Sequence, residues 1–429
     1  MWKIFNAFDK NIRVLYALRD ISIRTLSTTK PSCQLGGLGL GQNEDLGWRE
    51  VVSEAEQIVG YPTSFLNLRW LFNDEIANTA IHLRKLVGTN HPLLKSAKNL
   101  LIGSKSNLQS VGLIILLVSK AAGFNASDYT RDHYDCGVLH AQRAVAEIVE
   151  MKRTGHVIHK TMVNLQDRKG GKDKGEKYKD LLYGNKIVLL TGDYLLAQCL
   201  NQLGGLRNND VTELISSGLR DLVEGDFFGE HDKDNNPLPT QPKGSNEVIG
   251  PYDWENEDNL QKLGSNDYLG QGRDEWTLRT MLTSGSILGK GCQAAMKLAQ
   301  RGEQAERDAY ILGGHLALIW QLYLDVKDFF THPYSYSVVG APVILALWEY
   351  PTIYGHILES KLENQPIDYK QLYYAVRSTR SMEYLSMLLD VEFASILKYS
   401  EKFPVEDARL ALQKMAMMIH SETLQYIEK

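Results

Sequence analysis

The sequence predicts an all-α protein, a helix bundle, on three observations. Apolar residues recur at helical spacing through most of the chain beyond residue 50, strand-type alternation is scarce, and glycine or proline breaks separate the periodic blocks. A chain of 429 residues is long enough to bury a large core in one big domain or two smaller ones.

Taken in order, residues 1–30 have a character of their own. Lys3, Lys10, Arg13, Arg19, Arg24 and Lys30 face only Asp9 and Asp20, apolar residues interleave with them, and Ser22, Ser27, Thr28 and Thr29 follow. A basic, amphipathic, hydroxyl-containing start has the features of a mitochondrial transit peptide, with a solvated basic helix as the competing reading. The glycine-rich stretch at 36–41 reads as a flexible joint, because no strand precedes it and no lysine stands at the P-loop position. The expected division is therefore 1–45, transit peptide and joint, and 46–429, the helical domain.

Helical periodicity covers 66–86, 108–122, 136–163, 186–203, 278–298, 309–330 and 342–358. Breaks fall at Gly123, Gly170-Gly171, Gly204-Gly205, His332-Pro333 and Gln365-Pro366. Residues 166–181, rich in Lys, Gly and Asp, read as a mobile loop carrying a solvated charge run. Residues 229–275 hold Pro237, Pro239, Pro242 and Pro251 among many Asp, Asn and Gly, and read as a polar insertion unable to build a core. Tyr252, Trp254 and Tyr268 are its candidate anchors to a partner, and Met415, Met417 and Met418 are expected to pack a final helix.

Composition excludes several function classes. The net charge of −5 argues against nucleic acid as the main partner. Cys33, Cys136, Cys199 and Cys292 are scattered without a CxxC pair, so neither a disulfide framework nor a zinc site is expected, and a reducing compartment fits. The apolar run at 113–118 is far too short to cross a bilayer. His156 and His159 stand three apart, but no nearby cysteine or carboxylate completes a metal set in the sequence.

Several motifs occur together and in a fixed order. Glu150-Met151 leads to His159; Gly184-Asn185-Lys186 precedes Thr191-Gly192-Asp193-Tyr194-Leu195-Leu196-Ala197; Leu222-Val223-Glu224-Gly225-Asp226 and Cys292-Gln293-Ala294-Ala295 follow. In register and content this text resembles the trans-isoprenyl diphosphate synthases over most of residues 50–429. The resemblance implies the isoprenoid (polyprenyl) synthase-type helix bundle and two aspartate-rich clusters that hold Mg²⁺. Ionising an allylic diphosphate puts charge on the departing pyrophosphate, and Mg²⁺ with hard oxygen ligands neutralises it.

Both clusters depart from the family pattern. Where the resemblance places the first, Lys160-Thr161-Met162-Val163-Asn164 offers an ammonium, a hydroxyl and an amide at the three carboxylate positions Lys160, Thr161 and Asn164. The second reads Leu324-Asp325-Val326-Lys327-Asp328, with Leu324 replacing the leading carboxylate and Lys327 adding a positive charge. Asp325 and Asp328 are the residual metal candidates; solvated or Lys327-paired carboxylates are the plainer reading. The phosphate-contacting Lys-Thr pair has become Thr283-Ser284, the isopentenyl diphosphate clamp reads Asn107-Leu108-Gln109-Ser110-Val111-Gly112, and a C-terminal phosphate turn reads Ser337-Val338-Val339-Gly340-Ala341-Pro342. No catalytic or cofactor-binding residue is assigned to this chain.

Further segments, among them Val59-Gly60-Tyr61-Pro62-Thr63-Ser64-Phe65, Arg84-Lys85-Leu86-Val87-Gly88-Thr89 and Ser119-Lys120-Ala121-Ala122-Gly123, resemble one branch of the family: the non-catalytic second subunits of decaprenyl (all-trans polyprenyl) diphosphate synthases. That resemblance implies a supporting subunit that pairs with a catalytic homologue, subunit 1, in a heterotetramer of the mitochondrial matrix. The complex would elongate farnesyl diphosphate with isopentenyl diphosphate to make the ubiquinone side chain, with Mg²⁺ in the catalytic partner and none here. The alternatives are a weakly active prenyltransferase using the residual second cluster, and a prenyl-lipid-binding protein.

Overall fold

The computed structural model describes residues 40–61, 111–163, 165, 176–232, 235–244, 247–255, 266–363 and 366–428. The transit-type segment 1–30, the block at 66–86, the first residues of the 107–112 clamp and Asn164 lie outside the described residues. The chain divides into Met1–Gly47 and Trp48–Lys429.

Helix α1, Leu40–Val59, begins inside the stretch read as a joint, so Leu40 and Gly41 are helical. Val51, Val52, Ala55 and Val59 are buried at one-turn spacing, and that apolar stripe sustains a helix that propagates back toward its N-terminus. Helix α2, Val111–Ala122, buries residues 112–119 without a polar face, as a helix enclosed on all sides must.

The helix expected from residue 136 starts later. A two-residue hairpin, β1 (Tyr134–Asp135) against β2 (Val138–Leu139), comes first. Its turn sets Cys136 and Gly137 at φ +49° and +79°, and this left-handed pair stops helix propagation upstream. Helix α3 then runs His140–His159, α4 Glu176–Gly205 and α5 Asn209–Phe227. The Asn208 side chain accepts from Val211 N–H at the start of α5. Part of the expected loop at 166–181 is therefore helical from Glu176 onward.

Helices α6 (Arg273–Thr280) and α7 (Ser286–Leu298) join through a π-helical turn, Met281–Gly285. Helix α8, Glu303–Thr331, packs along α7 and is flanked by α12 (Ser381–Ser400) and α13 (Glu406–Ile427). The crossing of α7 and α8 is tight: a Cβ on Gly313 would stand 2.9 Å from the Cα of Gly289. The helix expected over 342–358 is broken at Pro351 into α9 (Ala341–Glu349) and α10 (Tyr354–Glu363), because proline lacks the N–H that would continue the ladder. Helix α11, Tyr369–Arg377, completes the set. Met415 is buried in α13 and Met418 packs against the core, as expected of a final packing helix.

The segment at 229–275 does not match its expected isolation from the core. Leu238, Tyr252 and Trp254 are buried, and the last two belong to the main core cluster. Arg279 of α6 holds the polar chain in place by donating to Phe228 O (3.1 Å) and Leu238 O (3.0 Å), while Glu275 accepts from Gly270 N–H at 2.7 Å. Backbone groups that a polar segment would otherwise leave to solvent are satisfied by buried charges, so a few aromatics suffice to dock it. Among the described residues, no helix is long and apolar enough to cross a membrane.

Candidate functional site

The C-terminal ends of α3 and α5, the π-turn and the C-terminal part of α8 carry the residues singled out above. Lys160 is the C-cap of α3, and its Nζ lies 2.6 Å from Asp226 Oδ1 in the last turn of α5. His156, one turn back, brings Nε2 to 3.2 Å from Asp226 Oδ2. Burial lowers the His156 pKa against the opposing pull of Asp226, with Lys160 and His159 adding to the fall. Thr161 turns its hydroxyl onto Ile158 O at 2.7 Å. The Asn185 amide then clamps Val163 on both sides, accepting from its N–H and donating to its C=O, each at 2.8 Å.

Helix α4 fits this corner because of a glycine. A Cβ on Gly192 would stand 2.1 Å from His159 Nε2, so only glycine lets the imidazole lie across α4. There His159 reaches Leu189 O at 3.3 Å and Asp193 Oδ1 at 3.5 Å. The sequence marks Gly192 and His159 separately; their contact comes only from helix packing.

The π-turn holds Thr283 and Ser284, and both hydroxyls bond back to their own helix. Thr283 Oγ1 donates to Arg279 O at 2.9 Å and Ser284 Oγ to Thr280 O at 3.1 Å. Asp325 of α8 is buried, 8% exposed. Its carboxylate accepts from Trp276 Nε1 (2.8 Å), Gln321 Nε2 (2.7 Å) and Ala341 N–H (2.9 Å), the last fixing the first turn of α9. Burial pushes its pKa up to about 6 despite these three donors. Asp328 accepts from Ser337 N–H at 3.2 Å and lies 3.1 Å from His332 Nδ1. Lys327 pairs with neither carboxylate: its Nζ donates to Tyr323 OH at 2.9 Å. Leu324 packs at the edge of the core.

Sequence reading missed a second polar cluster deeper in the bundle. Asp221, fully buried, accepts from Lys290 Nζ at 2.5 Å and from Ser286 Oγ. Lys152 lies buried nearby and donates to Ile215 O at 2.6 Å; burial lowers its pKa to about 8. Lys290, a charge set between two glycines in the mostly apolar text of α7, was the signal available for it.

This arrangement of helices has the fold of the polyprenyl synthases. A geranylgeranyl pyrophosphate synthase from Bacteroides thetaiotaomicron superposes with a TM-score of 0.55, covering 87% of this chain and 99% of that one at 15% identity. A decaprenyl diphosphate synthase from Rhodobacter capsulatus gives 0.53, covering 88% and 98% at 14% identity. No family model matches the chain. Among curated relatives, the human all trans-polyprenyl-diphosphate synthase PDSS2 is 34% identical over 383 residues, 87% of each chain, and the mouse protein of that name is 34% identical over the same length. The mitochondrial hexaprenyl pyrophosphate synthase of Saccharomyces cerevisiae is 26% identical over 305 residues, 65% of this chain and 62% of that one. The chain belongs to the polyprenyl diphosphate synthase family, on the branch that includes the PDSS2 proteins.

Proposed function

We propose that this chain is the supporting, non-catalytic subunit of a heteromeric trans-polyprenyl diphosphate synthase in the mitochondrion. The complex makes the prenyl tail of ubiquinone from farnesyl and isopentenyl diphosphates, and a catalytic homologue supplies the Mg²⁺ site. The observation that carries the reading is the state of the polar groups at the two cluster positions. Lys160 sits on Asp226, Thr161 on Ile158 O, and Asp325 on three donors, so three of the positions that would hold metal hold protein contacts instead. This donor set does not fit Mg²⁺, which needs several free oxygens in near-octahedral array. Among the described residues, no group of three His, Cys, Asp or Glu side chains is placed to hold a metal ion. The mitochondrial assignment leans on relatives named as mitochondrial hexaprenyl synthases.

A surface suited to the partner lies on α4. Leu182, Leu189, Leu190 and Leu200 are 54%, 46%, 53% and 50% exposed, and Leu182, Leu189 and Leu200 fall in line along one face. The opposite face is buried, with Ile187, Val188, Leu195 and Cys199 packed inward. Burying the exposed half of each leucine would contribute about 1 kcal/mol apiece, together about 4 kcal/mol toward association.

The deciding experiment is Mg²⁺-dependent polyprenyl synthesis by this chain alone, the catalytic homologue alone, and the two coexpressed. Product only from the pair supports the proposal; product from this chain alone refutes it. The double variant L189D/L200D should abolish co-purification while leaving the chain's helical content intact, which separates assembly from folding.

A further inference from the structure

Lys152, His156 and Lys160 follow one another at four-residue intervals, so they line one side of α3. All three end on α5. Lys152 Nζ donates to Ile215 O at 2.6 Å, His156 Nε2 lies 3.2 Å from Asp226 Oδ2, and Lys160 Nζ lies 2.6 Å from Asp226 Oδ1. The two lysines thus tie the helices about two turns of α3 apart, with the His156 imidazole lying between them. Their far end has an electrostatic demand. The last carbonyls of α3 and of α5 each carry partial negative charge, and Asp226 in the final turn of α5 adds a full one. Negative poles drawn together need a cation between them, and the chain provides one covalently attached to the C-cap of α3.

We propose that Lys160 is a tethered cation that closes the joint between α3 and α5 and stands in for a bridging divalent ion. The proposal goes beyond the supporting-subunit reading, because it concerns the stability of this chain and holds whatever its partner is. It assigns Lys160 a positive role: the position keeps two helix ends together without metal. Asp226 is the fixed half of the pair, and the neighbouring Gly225, whose added Cβ would stand 3.0 Å from Thr283 Cγ2, seats this end of α5 against the π-turn.

The test is thermal unfolding of the full chain in EDTA and in millimolar MgCl₂, for the wild type, K160M, K160D and K160D/D226N. The wild-type midpoint should be the same in both buffers. K160M should lower it by about 2 °C, the scale of one partly exposed ion pair in a chain of this size. K160D places two carboxylates together, so it should fall further in EDTA and recover part of the loss in Mg²⁺, a recovery that D226N abolishes. A wild-type midpoint that rises with Mg²⁺, a K160D protein indifferent to Mg²⁺, or a Mg²⁺ response surviving D226N would each overturn the proposal. Where K160D does not fold, the cycle of K160M, D226N and their combination decides: non-additive shifts support the coupling, and additive shifts refute it.

Discussion

His315, in the middle of α8, gives the sharpest stability prediction. It is 3% exposed, with Nδ1 2.6 Å from Glu392 Oε2 and Nε2 3.3 Å from Glu255 Oε1. Tyr399 stacks on its ring, Trp254 meets it edge-on, and Arg273 approaches Glu392 Oε1 at 3.5 Å. Burial is the largest single influence and opposes protonation, but Glu392 and Glu255 together outweigh it and raise the imidazole to about 9. The folded state therefore holds a proton between the ordinary histidine pKa and about 9 that the unfolded chain releases. That stabilisation is complete below the ordinary value and is lost as pH rises through about 9. A displacement of this size is worth about 3 kcal/mol.

The perturbation is His315→Gln, measured by urea unfolding of the full chain across that window. At its acidic end the variant should be less stable by about 3 kcal/mol, the cost of leaving Glu392 buried without its main partner. The gap to wild type should then shrink steadily with alkalinity. Lys152, lowered to about 8, gives an opposite slope above that pH, but both proteins share it and it cancels in the difference. Parallel stability curves for the two proteins would refute the reasoning, since the wild-type slope would then belong to other groups.

Three further outcomes follow from the packing. Trp254→Ala should lower stability by about 3–5 kcal/mol in the same urea assay, because its ring lies buried against Gly314, Tyr310 and His315; a loss near zero would mean that the 229–275 segment is not docked. Gly289→Ala should cost about 1–3 kcal/mol, since the new Cβ would meet the backbone oxygen of Tyr310 at 2.9 Å; an unchanged melting temperature would contradict the close α7–α8 crossing. Asp325→Ala should destabilise by about 2–4 kcal/mol by orphaning Trp276 Nε1–H and Ala341 N–H, while the coexpressed pair keeps the wild-type Mg²⁺ requirement for synthesis; a raised Mg²⁺ requirement would show that Asp325 binds metal.

Local text and tertiary packing divided the work visibly along this chain. Helix type was legible where an apolar stripe ran unbroken, as in α8, because 3.6-residue periodicity is a local property of the sequence. Element ends were less legible: the turn at Cys136-Gly137 and the break at Pro351 each cut a periodic block short. The docking of Tyr252 and Trp254 was misread because average polarity over 229–275 says nothing about which neighbours satisfy the polar groups.

The all-α class, the order of the motifs and the identity of the residues at the two cluster positions could be read from the chain alone. What those residues do emerges from packing. Lys160 meets Asp226 across 66 positions of chain, Asp325 meets Trp276 across 49, and His315 meets Glu392 across 77. Charge is written one residue at a time, but its partner, its burial and hence its pKa are set by helices that meet only after the chain has folded.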